Sequence, residues 1–458
     1  MRDEAYLETL DYLYSRLDYE RAGMPRLPGE LAIGRTRRLL RKLGEPQDGL
    51  SLIHVAGTKG KGSTSVLVAA ALSAGGLRTG LFTSPHLHHL EERFKVDGVP
   101  IAPEILVDLV QRIRPVVAHV DAQDPHLSGR PLTFFEITTA LALLHFAEIG
   151  AKAVVLEVGL GGRLDSTNVV RPTVSVLTSI SYDHTKILGT TLDAIATEKA
   201  GILKRNGRAV VGVRSPEARL AIARVAAARR CETRWIDTDF REEYQAPRLP
   251  LTEPTPGWVQ LETWRKHWGP LEVPFLGRHQ ALNAAVALAT LDAWAEAGQT
   301  PIEESAVVRG WTGLSFPARV ELVSARPWII IDGAHNVDSA EALVQTLNHH
   351  LPAGPKTLVF GTTRDKDLAG QLRVLLPHFE KVIVTRYQDN PRAVPEDEVA
   401  MCVAEEFGKP VMVAADPAAA LELARLLTPE SGLICVTGSL FLAAEARAAV
   451  LGNSRAQA

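Results

Sequence analysis

The chain has 458 residues, of which 46% are hydrophobic and 22% charged, with a formal net charge of −3. That balance predicts a globular protein of two or three domains with a large core, and it excludes a broadly basic surface for nucleic acid, which would show as a clear excess of Lys and Arg. The three cysteines, Cys231, Cys402 and Cys435, are far apart without CxxC spacing, so neither a disulfide framework nor a zinc site is predicted, and a reducing compartment fits.

The start of the chain carries Asp3, Glu4, Glu8, Asp11 and Asp18, which is not the pattern of a signal peptide. No apolar run reaches the length of a membrane span, so the expected location is the cytoplasm. Periodicity predicts a helix over Tyr6 to Leu17 and an amphipathic helix over Arg35 to Lys42, where Leu39, Leu40 and Leu43 alternate with Arg35, Arg37, Arg38, Arg41 and Lys42. A solvated basic face and a ligand-facing arginine both fit that pattern.

The apolar run Leu52 to Ala56 leads into Gly57-Thr58-Lys59-Gly60-Lys61-Gly62-Ser63, and Thr64 to Leu72 reads as the following helix. Strand, glycine loop and helix N-terminus together can cradle a polyphosphate. The glycines admit positive φ and the first amides of the helix have no partner of their own. Lys61 then reaches the β/γ-phosphates and Ser63 is a candidate Mg²⁺ ligand. The strict P-loop spacing is not met, because Gly62 separates Lys61 from Ser63. The stretch is a P-loop variant.

A short strand ending near Phe82 opens into a loop with Ser84, His86, His88 and His89. Loops at the carboxyl ends of strands are where open α/β sheets bind ligands, but the histidine spacing puts no fixed pair on one helical face, so a histidine metal cluster is not expected. Leu132 to Glu136 opens an apolar helix, with Glu136 in a first turn that favours a carboxylate. Ala153 to Val158 is a strand buried on both faces whose one carboxylate, Glu157, is conspicuous. An acidic residue ending such a strand beside a P-loop is what NTPases use to hold Mg²⁺. Gly159, Gly161 and Gly162 follow and lead to Asp165; the next strand, Val174 to Ile180, ends in Asp183-His184, so His184 and Glu157 are delivered to one edge.

Thr191 to Ile202 reads as a helix with Gly201 as a candidate C-cap and Lys199 as a cation at the helix end. A strand over Ala209 to Val213, a helix over Pro216 to Arg229, a peripheral hairpin of Trp258 to Trp264 with Leu271 to Phe275, and helices over Ala281 to Ala297 and Glu303 to Trp311 complete residues 1–313 as one expected domain. Beyond Gly313 to Pro317 the βα alternation restarts, which predicts a second, doubly wound domain over 316–458. Its strand ends offer Asp332 to Asn336, Arg364 to Asp367 and Thr437 to Phe441, and the tail from Gly452 to Ala458 is expected to be disordered. The predicted class is α/β, a P-loop ATPase-like domain with a mostly parallel sheet followed by a Rossmann-like domain.

Taken together, Gly57 to Ser63, Thr83-Ser84-Pro85-His86, Phe135-Glu136, Leu156 to Asp165, Asp183-His184-Thr185, Glu198 to Ile202, Asp332 to Asn336 and Thr437 to Phe441 resemble the folylpolyglutamate synthase/dihydrofolate synthase family, a branch of the Mur ligases, in collinear order over most of the chain. The resemblance implies a ligase that transfers the γ-phosphoryl group of ATP to a carboxylate and lets the amine of L-glutamate displace phosphate, giving an amide. It implies ATP contacts from Gly57, Thr58, Lys59, Gly60, Lys61, Gly62, Ser63, Thr64 and Asn283, and across a cleft from Arg319, Asp332 and His335, with domain closure excluding water. It implies Mg²⁺ held by Ser63, Ser84 and Glu157, a second Mg²⁺ shared by Glu157 and His184, a place for K⁺, and a carbamylated Lys199 as a carboxylate-like metal ligand. Lys61, Lys199 and His184 are the implied catalytic residues; Thr133, Phe135 and Asp165 match positions that meet the pterin or pteroate. The implied partners are small molecules alone, ATP, L-glutamate and folate or dihydropteroate, acting on a monomer without nucleic acid or membrane.

Three positions depart from the family pattern. Lys59 stands where asparagine is usual, Ala318 replaces the glycine of Pro-Gly-Arg before Arg319, and Val337 replaces a proline after Asn336. A peptidoglycan-precursor Mur ligase is the nearest alternative; a P-loop that begins by residue 57 leaves little room ahead of it for a nucleotide-sugar domain. A P-loop switch protein, the third reading, gives Glu157, His184 and Lys199 no task.

Overall fold

The computed structural model describes residues 4–22, 33–123 and 130–456. The chain forms two compact units, one of Met1–Glu243, Val259–Leu271 and Leu282–Leu314, the other of Tyr244–Trp258, Glu272–Ala281 and Ser315–Ala458.

The first unit is built on an eight-stranded sheet. Its strands are β1 (Leu52–Ala56), β2 (Thr79–Phe82), β3 (Phe94–Val96), β4 (Val99–Pro100), β5 (Ala153–Glu157), β6 (Val174–Leu177), β7 (Arg208–Val211) and β8 (Glu232–Trp235). They lie in the order β4-β3-β2-β5-β1-β6-β7-β8; the β2–β3 and β3–β4 pairings are antiparallel and the others are parallel. Every residue of β1 and β5 is buried, as continuous apolar runs require when helices cover both faces. The register sets Val55 of β1 beside Glu157 of β5, and Ala56 beside Leu177 of β6. Three parallel strands therefore end together.

Two apolar clusters pack along one face of this sheet, the face that Leu52 and Ala56 of β1 share. Phe82, Phe94, Phe134, Leu141 and Phe146 pack with Leu13, Leu39 and Leu40 in the first, and Leu177, Ile195, Ile202, Val211 and Ile222 form the second. Fully burying each such side chain is worth about 1.5–3 kcal/mol.

Several local expectations change. The first helix spans Glu4–Tyr14, short of Leu17. The basic helix, Ile33–Lys42, does not solvate all its arginines: Arg35 is buried and its Nε donates to Glu136 Oε1 at 3.0 Å. Gly201 is not a C-cap, since Ala200 closes the helix Leu192–Lys199 with αR backbone. A Cβ on Gly201 would sit 2.3 Å from Arg163 Cβ, so close packing explains that glycine. The peripheral hairpin gains a strand, forming a three-stranded sheet in the order β11-β10-β9 from β9 (Arg241–Gln245), β10 (Trp258–Glu262) and β11 (His267–Glu272).

The second unit carries a six-stranded sheet of β12 (Glu321–Ala325), β13 (Trp328–Ile331), β14 (Lys356–Phe360), β15 (Lys381–Val384), β16 (Met412–Val413) and β17 (Leu433–Thr437). The order is β12-β13-β17-β14-β15-β16, parallel apart from the β12 edge, which the βα pattern did not announce. Segment Tyr244–Trp258 joins this unit through His350, whose Nδ1–H donates to the Thr255 carbonyl at 2.9 Å while Tyr244 donates its hydroxyl to Nε2 at 2.6 Å. The last helix runs through Leu440–Ala456, so most of the tail expected to be disordered is helical, and residues 457–458 lie outside the described residues. No helix among the described residues is long and apolar enough to cross a membrane.

Candidate functional site

The site of the first unit starts where β1 stops. Gly57 and Gly60 adopt φ of 157° and 80°, and Gly60 is the left-handed N-cap of the helix Lys61–Ala74. Gly62 needs no such freedom, because it lies inside that helix. Only glycine fits at the two turning points. A Cβ at 57 would stand 1.9 Å from Thr178 Oγ1, and one at 60 would stand 2.1 Å from Asn283 Oδ1. The second contact places Asn283 against the loop.

The loop is fastened to the end of β6. Thr58 N–H donates to the Ser179 carbonyl at 2.8 Å, and the Lys59 carbonyl accepts from Thr178 Oγ1 at 2.6 Å and Ser179 Oγ at 3.0 Å. Thr58 Oγ1 accepts from Ser181 N–H at 3.1 Å and donates to the Ser181 carbonyl at 3.2 Å. Thr178, Ser179 and Ser181 did not stand out in the sequence. Their one signal is position, three hydroxyls following a strand next to the P-loop strand.

Three lysine side chains meet at the loop, two of its own and Lys199 from the helix Leu192–Lys199. Lys61 Nζ donates to the Gly57 carbonyl at 3.1 Å and to that of Thr58 at 3.4 Å. Lys59 Nζ forms an ion pair with Asp183 Oδ2 at 2.9 Å. Lys199 is 4% exposed, and its Nζ donates to the Gly57 carbonyl at 3.0 Å instead of staying at its helix end. Burial, then the charge of Lys61, pushes the Lys199 ammonium down to about 7.

Glu157, at the tip of β5, is buried and its Oε2 accepts from Ser84 N–H at 3.1 Å. A carboxylate kept ionised in a buried setting needs donors or a cation. His184 follows Asp183 with left-handed backbone at φ 50°, and its N–H donates to Asp183 Oδ1 at 3.0 Å. With the hydroxyl of Ser63 in the first turn of the loop helix, the donors are oxygen-rich with one imidazole, which suits Mg²⁺. Among the described residues no group of three or more His, Cys, Asp and Glu is arranged for a metal, so any ion here depends also on hydroxyls, water or substrate oxygens. His86 has other work, since Arg93 Nε donates to its Nδ1 at 2.8 Å.

Of the residues matched to pteroate, Phe135 and Asp165 lie at the loop after β5. Thr133 is the N-cap of the helix Phe134–Glu148, in a capping box closed by Glu136. The ring of Phe135 covers Gly159, where a Cβ would meet Cζ at 2.6 Å. Asp165 is buried and folds its own loop, accepting from Leu160 N–H at 2.8 Å and Thr167 N–H at 2.9 Å. Burial raises its carboxyl above the usual range, opposed by these donors.

Arg319, Asp332 and His335 belong to the second unit. There Asp332 accepts from Val320 N–H and Ala334 N–H, each at 2.8 Å. Gly333 N–H donates to the Ala318 carbonyl at 3.0 Å, and the Gly333 carbonyl accepts from His335 Nδ1–H at 2.8 Å. Arg319 lies over the Phe316 ring at 5.2 Å. The segment around Arg319, before β12, and the turn Asp332 to His335, after β13, are thus held side by side, braced by Asp332.

The chain resembles known proteins along most of its length. Residues 55–291 match the Mur ligase middle domain, and residues 318–440 match the Mur ligase glutamate ligase domain. The folylpolyglutamate synthase of Lacticaseibacillus casei is 36% identical over 98% of this chain and 99% of its own. The dihydrofolate synthase/folylpolyglutamate synthase of Bacillus subtilis is 36% identical over 81% of this chain and 83% of its own. Among solved structures, Mycobacterium tuberculosis folylpolyglutamate synthase complexed with ADP and AMPPCP has a TM-score of 0.87 at 32% identity, covering 97% of this chain and 98% of the other.

Proposed function

Because the chain belongs to the folylpolyglutamate synthase/dihydrofolate synthase family of Mur ligases, we propose the following residue roles for its reaction. The protein is an ATP-dependent ligase that joins L-glutamate to the carboxylate of dihydropteroate or of a reduced folate. One observation carries the assignment of roles: β1, β5 and β6 are adjacent and end together, setting the Gly57 to Ser63 loop between Glu157 and the Asp183-His184 turn.

A carboxylate is a poor electrophile, so the reaction begins with phosphoryl transfer, in which two anions must meet. Backbone amides of the loop and the N-terminus of the helix Lys61–Ala74 hold the ATP phosphates. The Lys61 ammonium, already inside the loop, follows charge onto the γ-phosphoryl group. Ser63, Ser84, Glu157 and His184 are the residues that would hold two Mg²⁺ ions, and bound Mg²⁺ supplies charge neutralisation for the transferred group. Lys199 works as its carbamate: its amine, with the proton weakly held, adds to CO₂ and turns a buried cation into an anionic oxygen ligand. Asn283 supports the loop at Gly60, and Arg319, Asp332 and His335 contribute to nucleotide binding from the paired segments at the open end of β12 and β13. Thr133, Phe135 and Asp165 receive the pteroate end of the acceptor, with Phe135 as the apolar surface. The same reading makes the enzyme a cytoplasmic monomer that accepts K⁺.

The test is glutamate-dependent phosphate release with Mg-ATP, comparing 7,8-dihydropteroate with tetrahydrofolate and identifying products by mass. Release that needs both glutamate and an acceptor is expected, and the responding acceptor separates dihydrofolate synthesis from polyglutamylation. Equal ATP turnover without either substrate would sink the assignment.

A further inference from the structure

His54 is the middle residue of β1, three positions before the phosphate loop, and it is fully buried. A histidine there is costly unless its ring nitrogens find partners. Its Nε2 lies 2.8 Å from Thr167 Oγ1, and Thr167, also fully buried, places that hydroxyl 2.5 Å from Asp165 Oδ1. Chemistry fixes the direction of both bonds. With Asp165 ionised, its carboxylate only accepts, so the single hydroxyl proton of Thr167 goes to Asp165, and His54 must then donate its Nε2–H to Thr167. The imidazole is neutral, with burial pushing its pKa to about 3. Its Nδ1 is buried without a hydrogen-bond partner among the described residues, so the ring keeps a bare acceptor inside the protein while its only donor goes to Thr167.

The relay leaves Asp165 almost saturated. Oδ1 accepts from Thr167 N–H and Thr167 Oγ–H, whereas among the described residues Oδ2 accepts from Leu160 N–H alone. Two bonds fill one oxygen, and one acceptor position remains on the other. We propose that His54 is a positioning residue for the acceptor substrate: acting through Thr167, it holds the Asp165 carboxylate with one lone pair of Oδ2 directed to an N–H of the substrate's heterocycle. This rests on the assignment of Asp165 to the acceptor made above. It gives the phosphate-loop strand a second task, since the strand that carries the nucleotide loop also sets the direction of a group on the acceptor side.

Steady-state kinetics of the full chain test this, with 7,8-dihydropteroate and tetrahydrofolate as acceptors. Thr167→Val removes the hydroxyl at constant shape and is expected to raise the acceptor KM about tenfold, the size of one misdirected hydrogen bond to a charged group. The KM for ATP and kcat stay within about threefold, because the loop backbone does not depend on that hydroxyl. Thr167→Ser and His54→Gln, which keep a hydroxyl and an N–H at the same positions, return the acceptor KM to within about threefold of the parent. Asp165→Ala is the reference. If it raises the acceptor KM while Thr167→Val does not, the relay is wrong and the Asp165 assignment stands. If Thr167→Val raises the KM for ATP as much as that for the acceptor, His54 acts on the phosphate loop and the proposal is overturned. If Asp165→Ala leaves the acceptor KM unmoved in an active enzyme, the Asp165 assignment falls and the proposal falls with it.

Discussion

Lys199 Nζ donates to the carbonyl of Gly57, the first residue of the phosphate loop, at 3.0 Å across 142 positions of sequence. The bond puts a buried amine where metal and phosphate oxygens are expected, and burial with the nearby charge of Lys61 lowers its pKa to about 7. The sign follows directly. A lowered lysine pKa means the proton is lost as pH rises through 7, so the free amine grows from about a tenth at pH 6 to about nine-tenths at pH 8. Carbamate formation needs the free amine and CO₂, so activity in bicarbonate-depleted buffer is expected to recover on adding bicarbonate, more fully at pH 8 than at pH 6. Carbon-13 NMR with labelled bicarbonate should show a protein carbamate that Lys199→Met lacks, and kcat should fall about 10²–10³-fold in that variant. A fully active Lys199→Met enzyme would remove lysine carbamylation from the mechanism.

Lys59 is paired with Asp183 at 2.9 Å, its side chain 28% exposed and that of Asp183 10%. The extra charge relative to the family pattern therefore has an anionic partner within the protein. Replacing it by the usual asparagine should cost less than about 1 kcal/mol of stability, the range for a partly solvated pair. The KM for ATP is expected to move by no more than about threefold, because one screened charge is removed and Lys61 remains. Chemical denaturation and ATP titration of Lys59→Asn measure the two effects. A tenfold rise in the ATP KM would show that Lys59 itself holds phosphate.

What could be read from the sequence was local or periodic. β1, β5 and β6 announced themselves as apolar runs, and Glu157 stood out as the one carboxylate in such a run. Glycines at 57 and 60 marked the loop because no other residue turns the backbone that way. The rest depends on pairings between distant residues. Arg35 looked like part of a solvated face because Glu136 stands 101 positions away. Gly201 looked like a cap because its real neighbour, Arg163, is brought close only by tertiary packing. Lys199 looked like a helix-end cation, and its place under the loop had no periodic signal. The His54 to Asp165 relay was likewise invisible, since a histidine within an apolar strand does not disclose its partner.

Ala318 carries a methyl group at a left-handed position, with φ of 57°. L-residues pay about 1–2 kcal/mol for that left-handed conformation. The turn keeps it because both flanks are tied down: Ala318 N–H donates to Glu321 Oε2 at 3.0 Å and Val320 N–H to Asp332 Oδ2 at 2.8 Å. Ala318→Gly relieves the strain but gives up a fully buried methyl worth about 0.8 kcal/mol. The expected net change is a gain of about 0.5 kcal/mol, and Ala318→Val, adding branching at a left-handed position, should lose more than about 2 kcal/mol. Urea unfolding of both variants measures the pair. A loss of 318→Gly stability by about 1 kcal/mol or more would mean that packing of the methyl, not backbone strain, dominates there.

Arg35 and Glu136 form a buried ion pair at 3.0 Å, with side chains 6% and 4% exposed. Glu136 also accepts from Thr133 N–H at 2.8 Å and from the Thr133 hydroxyl at 2.9 Å, so one carboxylate closes both the pair and the helix cap. Burial raises its carboxyl above the usual range, and Arg35 is the chief group pulling it down. Arg35→Met deletes the cation and leaves a buried carboxylate with the cap alone, an imbalance expected to cost about 3–5 kcal/mol. Its pH dependence has a defined sign. Without Arg35 the folded-state pKa rises further above the unfolded value, so protonation in the fold relieves the charge. The variant should therefore be least destabilised at acid pH and lose ground as pH rises through that folded pKa. Glu136→Gln on the same background keeps the cap acceptor without the charge. The double variant should recover more than half of the loss, because matched removal of a buried pair is close to neutral. Thermal unfolding of the two single variants and the double variant across pH resolves the coupling, and additive losses with no pH trend would show that Arg35 contributes by packing its stem and not by its charge.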